Sequence, residues 1–320
     1  MAPPGEAQVS PPDLSSLQQR AGAGDARAQF ELGSLLLVGR GAPWAPQQAY
    51  KLLDAAAAQN EPNALLLSAV LSALGEGRAQ DWTKAHQLVE RAAAAGDARA
   101  KAQLALLGAG FDAQAWLTPP PPTQHFEAPR VLTFERFISP EICQWIAGLA
   151  APRLEAARVK NPEHGGANAD GYRSNTGMGL SVLDTDLVVQ LVHARIAGAI
   201  GVPVNQQEPT NILHYAPGQE YKPHFDFIDP GVAHFAQEVQ RLGQRIVTFL
   251  IYLNDDYEGG ATGFPRLDWS FKGQQGDALA FWNTTDGRPD PRTLHAGTPT
   301  TIGVKWLFSK WVRDRPLPLV

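Results

Sequence analysis

The sequence predicts two domains of different class: an α-helical repeat array, then an antiparallel β barrel or jelly roll with flanking helices. Three observations carry that reading. A motif of small residues returns at a fixed step through the first third of the chain. A run of prolines, Pro119-Pro120-Pro121-Pro122, then interrupts it. From Asn211 onward the pattern becomes short apolar runs separated by Gly, Asn, Asp and Pro, the signature of strands joined by turns.

The repeat spans residues 14–110. Gly24-Asp25-Ala26-Arg27-Ala28 recurs as Asn60-Glu61-Pro62-Asn63-Ala64 and as Gly96-Asp97-Ala98-Arg99-Ala100, a step of 36 residues from 24 to 60 to 96. Gly39 and Gly41 match Gly75 and Gly77; Ala49 matches Ala85; Ala56-Ala57 match Ala92-Ala93. A period in the thirties with small residues at fixed places signals stacked helical hairpins, with the glycines ending the first helix of each pair. The pattern resembles the Sel-type, tetratricopeptide-like repeats, with two complete units and a truncated third.

Residues 111–128 read as a proline-rich linker, semi-rigid in the polyproline conformation. The second domain occupies 129–316. Pro129 to Phe134 reads as a strand. Ser139-Pro140 opens a helix, serine as cap and proline at the first position, and Asp184 to Ile200 reads as another. Ile246 to Leu253, Ala278 to Trp282 and Thr301 to Phe308 read as strands closing a compact barrel. Asn161–Gly171 and Asp229–Gly243 read as mobile lids.

The chain has 320 residues, 44% hydrophobic and 18% charged, with a formal net charge of −5 and a pI near 5.9. A sizeable core is expected. The lack of a polybasic run argues against nucleic acid or an anionic membrane as partner. Met1 to Glu6 shows neither a basic nor an apolar region of the kind a signal peptide carries, and no apolar run reaches a membrane span. Cys143 is the sole cysteine, so no intrachain disulfide can form. A cytoplasmic setting is the expectation.

The chemistry concentrates at His224-Phe225-Asp226, followed downstream by His295 and Lys305. Residues two apart on a strand point the same way, so His224 and Asp226 are placed to reach one metal ion. His295 from a distant strand completes two imidazoles and one carboxylate. That set suits Fe(II) and leaves open positions for a chelating cosubstrate and dioxygen. Lys305, in an extended context after His295, is a cation that could hold the far carboxylate of 2-oxoglutarate.

Three spaced segments carry a resemblance. Tyr215-Ala216-Pro217-Gly218-Gln219-Glu220-Tyr221-Lys222-Pro223-His224-Phe225-Asp226 is similar to the prolyl 4-hydroxylase branch of the Fe(II)/2-oxoglutarate dioxygenases. So are Arg245 to Asn254 followed by Gly259-Gly260-Ala261-Thr262, and His295-Ala296-Gly297 followed by Gly303-Val304-Lys305-Trp306 and Trp311-Val312-Arg313. The resemblance covers roughly Arg173 to Arg315. It implies a double-stranded β-helix and iron held by His224, Asp226 and His295. It also implies that Lys305, Tyr215 and Thr262 hold the distal carboxylate of 2-oxoglutarate, and that Tyr221, Arg245 and Trp311 line the substrate side. Arg245 keeps a second reading, as half of a structural ion pair. One departure stands out: Ala261 occupies a position where the family often has an acidic residue.

The reaction so implied is hydroxylation of an unactivated C–H bond, coupled to conversion of 2-oxoglutarate and dioxygen to succinate and carbon dioxide, with ascorbate keeping the iron reduced. Proline in a peptide or protein is the expected target. A free amino acid (proline, pipecolate or lysine) is the nearest alternative, and a non-catalytic repeat adaptor is the alternative from another class.

Overall fold

The computed structural model describes residues 14–157, 159–160, 167–168 and 173–319. The chain forms two compact units, dividing between Phe111 and Asp112.

The first unit is built of six helices: α1 (Leu14–Gly22), α2 (Ala26–Val38), α3 (Pro46–Ala58), α4 (Pro62–Leu74), α5 (Trp82–Ala94) and α6 (Ala98–Leu107). Each packs on its neighbour in sequence. The 36-residue motif turns out to be a helix start. Asp25, Glu61 and Asp97 each cap a helix, accepting the backbone N–H of Ala28 at 3.0 Å, Ala64 at 2.6 Å and Ala100 at 2.7 Å. A side-chain carboxylate there satisfies an N–H that the first turn leaves without an intrahelical partner. Gly39 and Gly75 end α2 and α4 in the left-handed region, at φ +67° and +76°. Small residues set the spacing: a Cβ on Gly33 would lie 3.0 Å from Leu53 Cγ, so α2 and α3 approach as closely as glycine permits. The seam is alanine and leucine, with Ala28, Leu32, Ala49, Leu53 and Ala56 buried.

The second unit begins earlier than expected. The segment 111–128 is not a free spacer. It holds a short helix, α7 (Ala113–Leu117), which packs on α9 (Leu187–Ile200), and an edge strand, β1 (Thr123–Phe126). The Thr118 carbonyl accepts from Arg195 of α9 at 2.9 Å. The prolines join these two elements, and polyproline geometry suits a chain that must run extended over a surface without donating hydrogen bonds.

The remaining strands of the two main sheets are β2 (Val131–Phe134), β3 (Glu155–Ala156), β4 (Thr176–Leu180), β5 (Thr210–Tyr215), β6 (Tyr221–His224), β7 (Arg245–Tyr252), β8 (Thr262–Phe264), β9 (Trp269–Phe271), β10 (Ala278–Trp282), β11 (His295–Gly297) and β12 (Lys305–Arg313). Among the described residues the larger sheet runs β1-β2-β10-β7-β12-β5-β4-β3 and the smaller one β9-β8-β11-β6, all pairs antiparallel. Their inner faces share one apolar core: Leu213, Tyr215, Leu250, Tyr252, Leu279, Phe281 and Leu307 from the larger sheet meet Phe264 from the smaller. This is the jelly roll, or double-stranded β-helix. Helices α8 (Pro140–Ala150, capped by Ser139) and α9 accompany the sheets; His193 of α9 lies beside Phe308, on the outer face of β12.

Two expectations are corrected. Thr301 to Phe308 is not one strand. Gly303, at φ +74°, turns the chain, so Thr300–Ile302 pairs with Glu258–Gly259 and β12 begins at Lys305. The stretch 229–243 is mostly helical, as α10 (Ala233–Leu242), and Arg313 ties it down by pairing with Glu238 at 2.8 Å and donating to the Gly243 carbonyl at 2.6 Å. Of the other proposed lid, 161–171, only residues 167–168 are described. No helix among the described residues is long and apolar enough to cross a membrane.

Candidate active site

One cleft between the sheets is lined by His224, Asp226, His295, Tyr215, Thr262, Lys305, Tyr221 and Trp311, with Arg173, Leu213, Leu250, Gly297, Leu307 and Ser309. Eight of the nine residues singled out in the sequence therefore converge from β5, β6, β8, β11, β12 and the bend after β6. Arg245 does not line it.

The register of β6 against β11 places His224 directly opposite His295. Asp226 is not on the strand: β6 ends at His224 and the carboxylate projects from the bend that follows. It still arrives between the two rings. His224 Nε2 lies 3.6 Å from Asp226 Oδ1 and His295 Nε2 lies 3.4 Å from Oδ2. One donor atom from each residue falls within 4.8 Å of the others, so all three can reach a common ion. Both imidazoles are turned for that role. His224 Nδ1 is 2.8 Å from the Lys222 carbonyl and His295 Nδ1 is 3.0 Å from the Thr293 carbonyl. A carbonyl only accepts, so each Nδ1 donates to it and each Nε2 is turned inward, toward Asp226. Burial, with His295 alongside, pushes His224 down to about 4, keeping it neutral. Burial works to raise the Asp226 carboxyl, but the two histidines outweigh it and hold the group well below the usual carboxylate range. Two imidazoles and one carboxylate on one side of an open cleft are the donor set for Fe(II), so the residues fit the expected ion.

Lys305 stands at the other end of the cleft and is 2% exposed. Its ammonium donates to the Gly260 carbonyl at 2.6 Å and lies 5.5 and 5.2 Å from the ring centres of Tyr215 and Tyr252. Among the described residues no carboxylate pairs with it. Burial, helped by Lys272, pushes it down to about 7. A cation so desolvated gains most from an anionic partner. The Thr262 and Tyr252 hydroxyls beside it are 2.8 Å apart.

On the third wall, Arg173, Tyr221 and His224 form a stack. The guanidinium sits 4.6 Å over the Tyr221 ring, and the Tyr221 and His224 ring centres are 3.4 Å apart. Burial pushes the Tyr221 phenol up to about 12. Arg245, expected on the substrate side, does not line the cleft and packs against Trp311 instead. Its Nε and Nη2 donate to Glu208, at 2.7 and 2.9 Å, and its guanidinium packs 3.6 Å from the Trp311 ring centre. The reason is electrostatic: the half-buried Glu208 carboxylate needs compensation, and Arg245 and Arg313 supply it.

Sequence reasoning missed Arg173, Glu208, Tyr252, Thr248 and Asn283. Thr248 left a signal. It is a polar residue within the apolar run 246–253, on the parity of Leu250 and Tyr252, and an inward hydroxyl there requires a partner. Glu208 left none, since its partner Arg245 is 37 residues away.

Comparison with known proteins agrees with the geometry. The 2OG-Fe(II) oxygenase superfamily matches residues 210–313. Prolyl 4-hydroxylase 1 of Arabidopsis thaliana is 35% identical over 205 residues, which cover 59% of this chain and 70% of that protein. Among solved structures, the viral collagen prolyl hydroxylase of Paramecium Bursaria Chlorella virus-1 in its 2OG complex covers 58% of this chain and 96% of its own at 21% identity, with a TM-score of 0.45. A Sel1 repeat protein from Oxalobacter formigenes covers 30% of this chain and 71% of its own at 35% identity, with a TM-score of 0.29. The chain belongs to the prolyl 4-hydroxylase family of 2OG-Fe(II) oxygenases, and its second unit is a dioxygenase domain.

Proposed function

We propose that the enzyme hydroxylates proline within a peptide or protein, using Fe(II), 2-oxoglutarate and dioxygen, with ascorbate as the reductant that keeps iron active. The observation that carries this reading is the pairing, in one cleft, of the His224–Asp226–His295 cluster with a buried Lys305 that has no carboxylate partner among the described residues.

His224, Asp226 and His295 would hold the iron, and Lys305 with Tyr215 and Thr262 would hold the distal carboxylate of 2-oxoglutarate. When bound, iron and 2-oxoglutarate would activate dioxygen, which supplies the oxidising power to break an unactivated C–H bond. The protein does the rest. Lys305 fixes the cosubstrate by a charge-assisted bond in a dry pocket, and the Tyr215 and Tyr252 rings exclude water around it. Asp226 stays ionised and the His224 ring stays neutral, so no proton competes at those two ligand positions. Tyr221 and Trp311 wall the cleft where a prolyl ring would enter, held in place by Arg173 and Arg245 respectively.

The test is succinate release with a panel of proline-containing peptides and free proline, pipecolate and lysine, followed by mass spectrometry of the products. A hydroxylated prolyl peptide supports the reading. Hydroxylation of free amino acids alone moves the substrate to the small-molecule class.

A further inference from the structure

Behind Asp226 lies a buried polar chain with no part in binding substrate. The Thr248 hydroxyl, on β7, lies 2.7 Å from Asp226 Oδ2, and the Asn283 amide nitrogen, just after β10, lies 2.9 Å from the same hydroxyl. Thr248 is 1% exposed and Asn283 is fully buried. Chemistry fixes the direction of every bond. An ionised carboxylate only accepts, so the single Thr248 proton goes to Oδ2. Asn283 must then donate to Thr248 with its NH2 group. Its own Oδ1, also buried, has no partner among the described residues, so the amide joins this chain through its NH2 end. The Asn283 backbone is pinned as well, its N–H donating to the Ile246 carbonyl at 2.8 Å and its carbonyl accepting from Asp290 at 2.9 Å.

We propose that Thr248 and Asn283 are positioning residues for the metal centre: they tie down Oδ2 of Asp226 and so fix the orientation in which the carboxylate meets the ion. A carboxylate free to rotate could offer both oxygens and take up a position that the cosubstrate or dioxygen needs. Thr248 removes that freedom, and Asn283 keeps the Thr248 proton pointing the right way. The inference rests on the metal-centre reading above.

The experiment is titration of the metal-free full-length protein with Co(II), following its visible spectrum, for wild type, Thr248→Val, Thr248→Ser and Asn283→Leu. Thr248→Val keeps the shape and deletes the hydroxyl. It should weaken Co(II) binding by roughly 10- to 100-fold, the usual cost of losing such a support, and alter the spectrum. Thr248→Ser should restore both, and Asn283→Leu should show a smaller loss in the same direction. Should Thr248→Val fail to fold, Asn283→Leu and Thr248→Ser decide alone: wild-type affinity and spectrum in Asn283→Leu, or loss in a folded Thr248→Ser, overturns the proposal. A Val variant that matches wild type does the same. If wild type itself binds no Co(II), the metal-centre reading fails, and this proposal with it.

Discussion

Lys305 and Lys310 lie five residues apart on β12, and strand alternation sends them to opposite faces of the same sheet. Both are buried, at 2% and 3% exposure, both are pushed down to about 7 chiefly by burial, and neither has a carboxylate partner among the described residues. Their surroundings differ. Lys310 faces α9, where it donates to Thr210 Oγ1 at 2.8 Å and lies 3.2 Å from His193 Nε2. His193 Nδ1 in turn meets Gln190, and Gln190 donates to Thr185. That network closes on itself in the packed layer. Lys305 faces the cleft, with a single carbonyl and two aromatic rings for company. Burial and a depressed pKa are therefore shared by a lysine enclosed in a packed layer and one that lines the cleft. What separates them is whether the ammonium opens onto space that an anion can enter.

The largest effect should come from the metal end of that cleft. Asp226→Ala removes the sole carboxylate of the cluster and should abolish succinate production while leaving the circular dichroism spectrum unchanged. Normal iron content and turnover in that variant would mean the ion binds elsewhere.

Next comes the direct contrast of the two lysines. Lys305→Ala should raise the KM for 2-oxoglutarate by roughly thirtyfold or more, since truncating one partner of a buried charged contact costs about 2–5 kcal/mol. Lys310→Met should leave that KM within twofold of wild type. Equal shifts in the two variants would erase the distinction drawn here.

A subtler contrast is in pH. Each lysine has a folded pKa near 7 against about 10.4 when unfolded. Between those values the unfolded chain binds more protons than the folded one, so stability rises with pH. The full contribution is present above about 10 and is lost as pH falls toward 7. Saturating 2-oxoglutarate should keep Lys305 charged and flatten that rise by the share of one lysine; Lys310 should be unaffected. Denaturant melts from pH 7 to 10, with and without cosubstrate, read this directly. A slope unchanged by 2-oxoglutarate would place its carboxylate away from Lys305.

The smallest effect is on stability alone. Lys310→Met deletes a buried charge, and Thr210 and His193 keep their bond to each other, so the net change should stay within about 3 kcal/mol. A larger loss, seen in chemical denaturation, would mean that the Lys310 network holds α9 to the sheet.

The same contrast shows what a sequence can reveal. The repeat was legible because its period is set by local needs, a capping carboxylate and a left-handed glycine in each hairpin, and both appear as residue types at fixed spacing. The metal cluster was legible because its donor types are few. Lys305 was picked out by its place after His295, while Lys310 attracted no notice, although the two share a strand. Three readings missed because long-range packing decided them. Residues 111–128 looked like a linker, yet α7 and β1 are drawn into the second unit by α9 and β2. Residues 229–243 looked like a loop, yet they form α10, tied by Arg313 from a distant strand. Arg245 looked first like a substrate residue, yet Glu208 takes its Nε and Nη2, which bears out its second reading as half of an ion pair.

The most direct measurement is an anaerobic titration of the Fe(II)-loaded protein with 2-oxoglutarate, watching for the weak visible charge-transfer band of a chelated cosubstrate. The wild type and Lys310→Met should develop the band over the same concentration range. Lys305→Ala should need at least tenfold more cosubstrate, and Asp226→Ala should show no band. A Lys305→Ala variant that saturates with the wild type would contradict the assignment of Lys305 as the anchor for the cosubstrate.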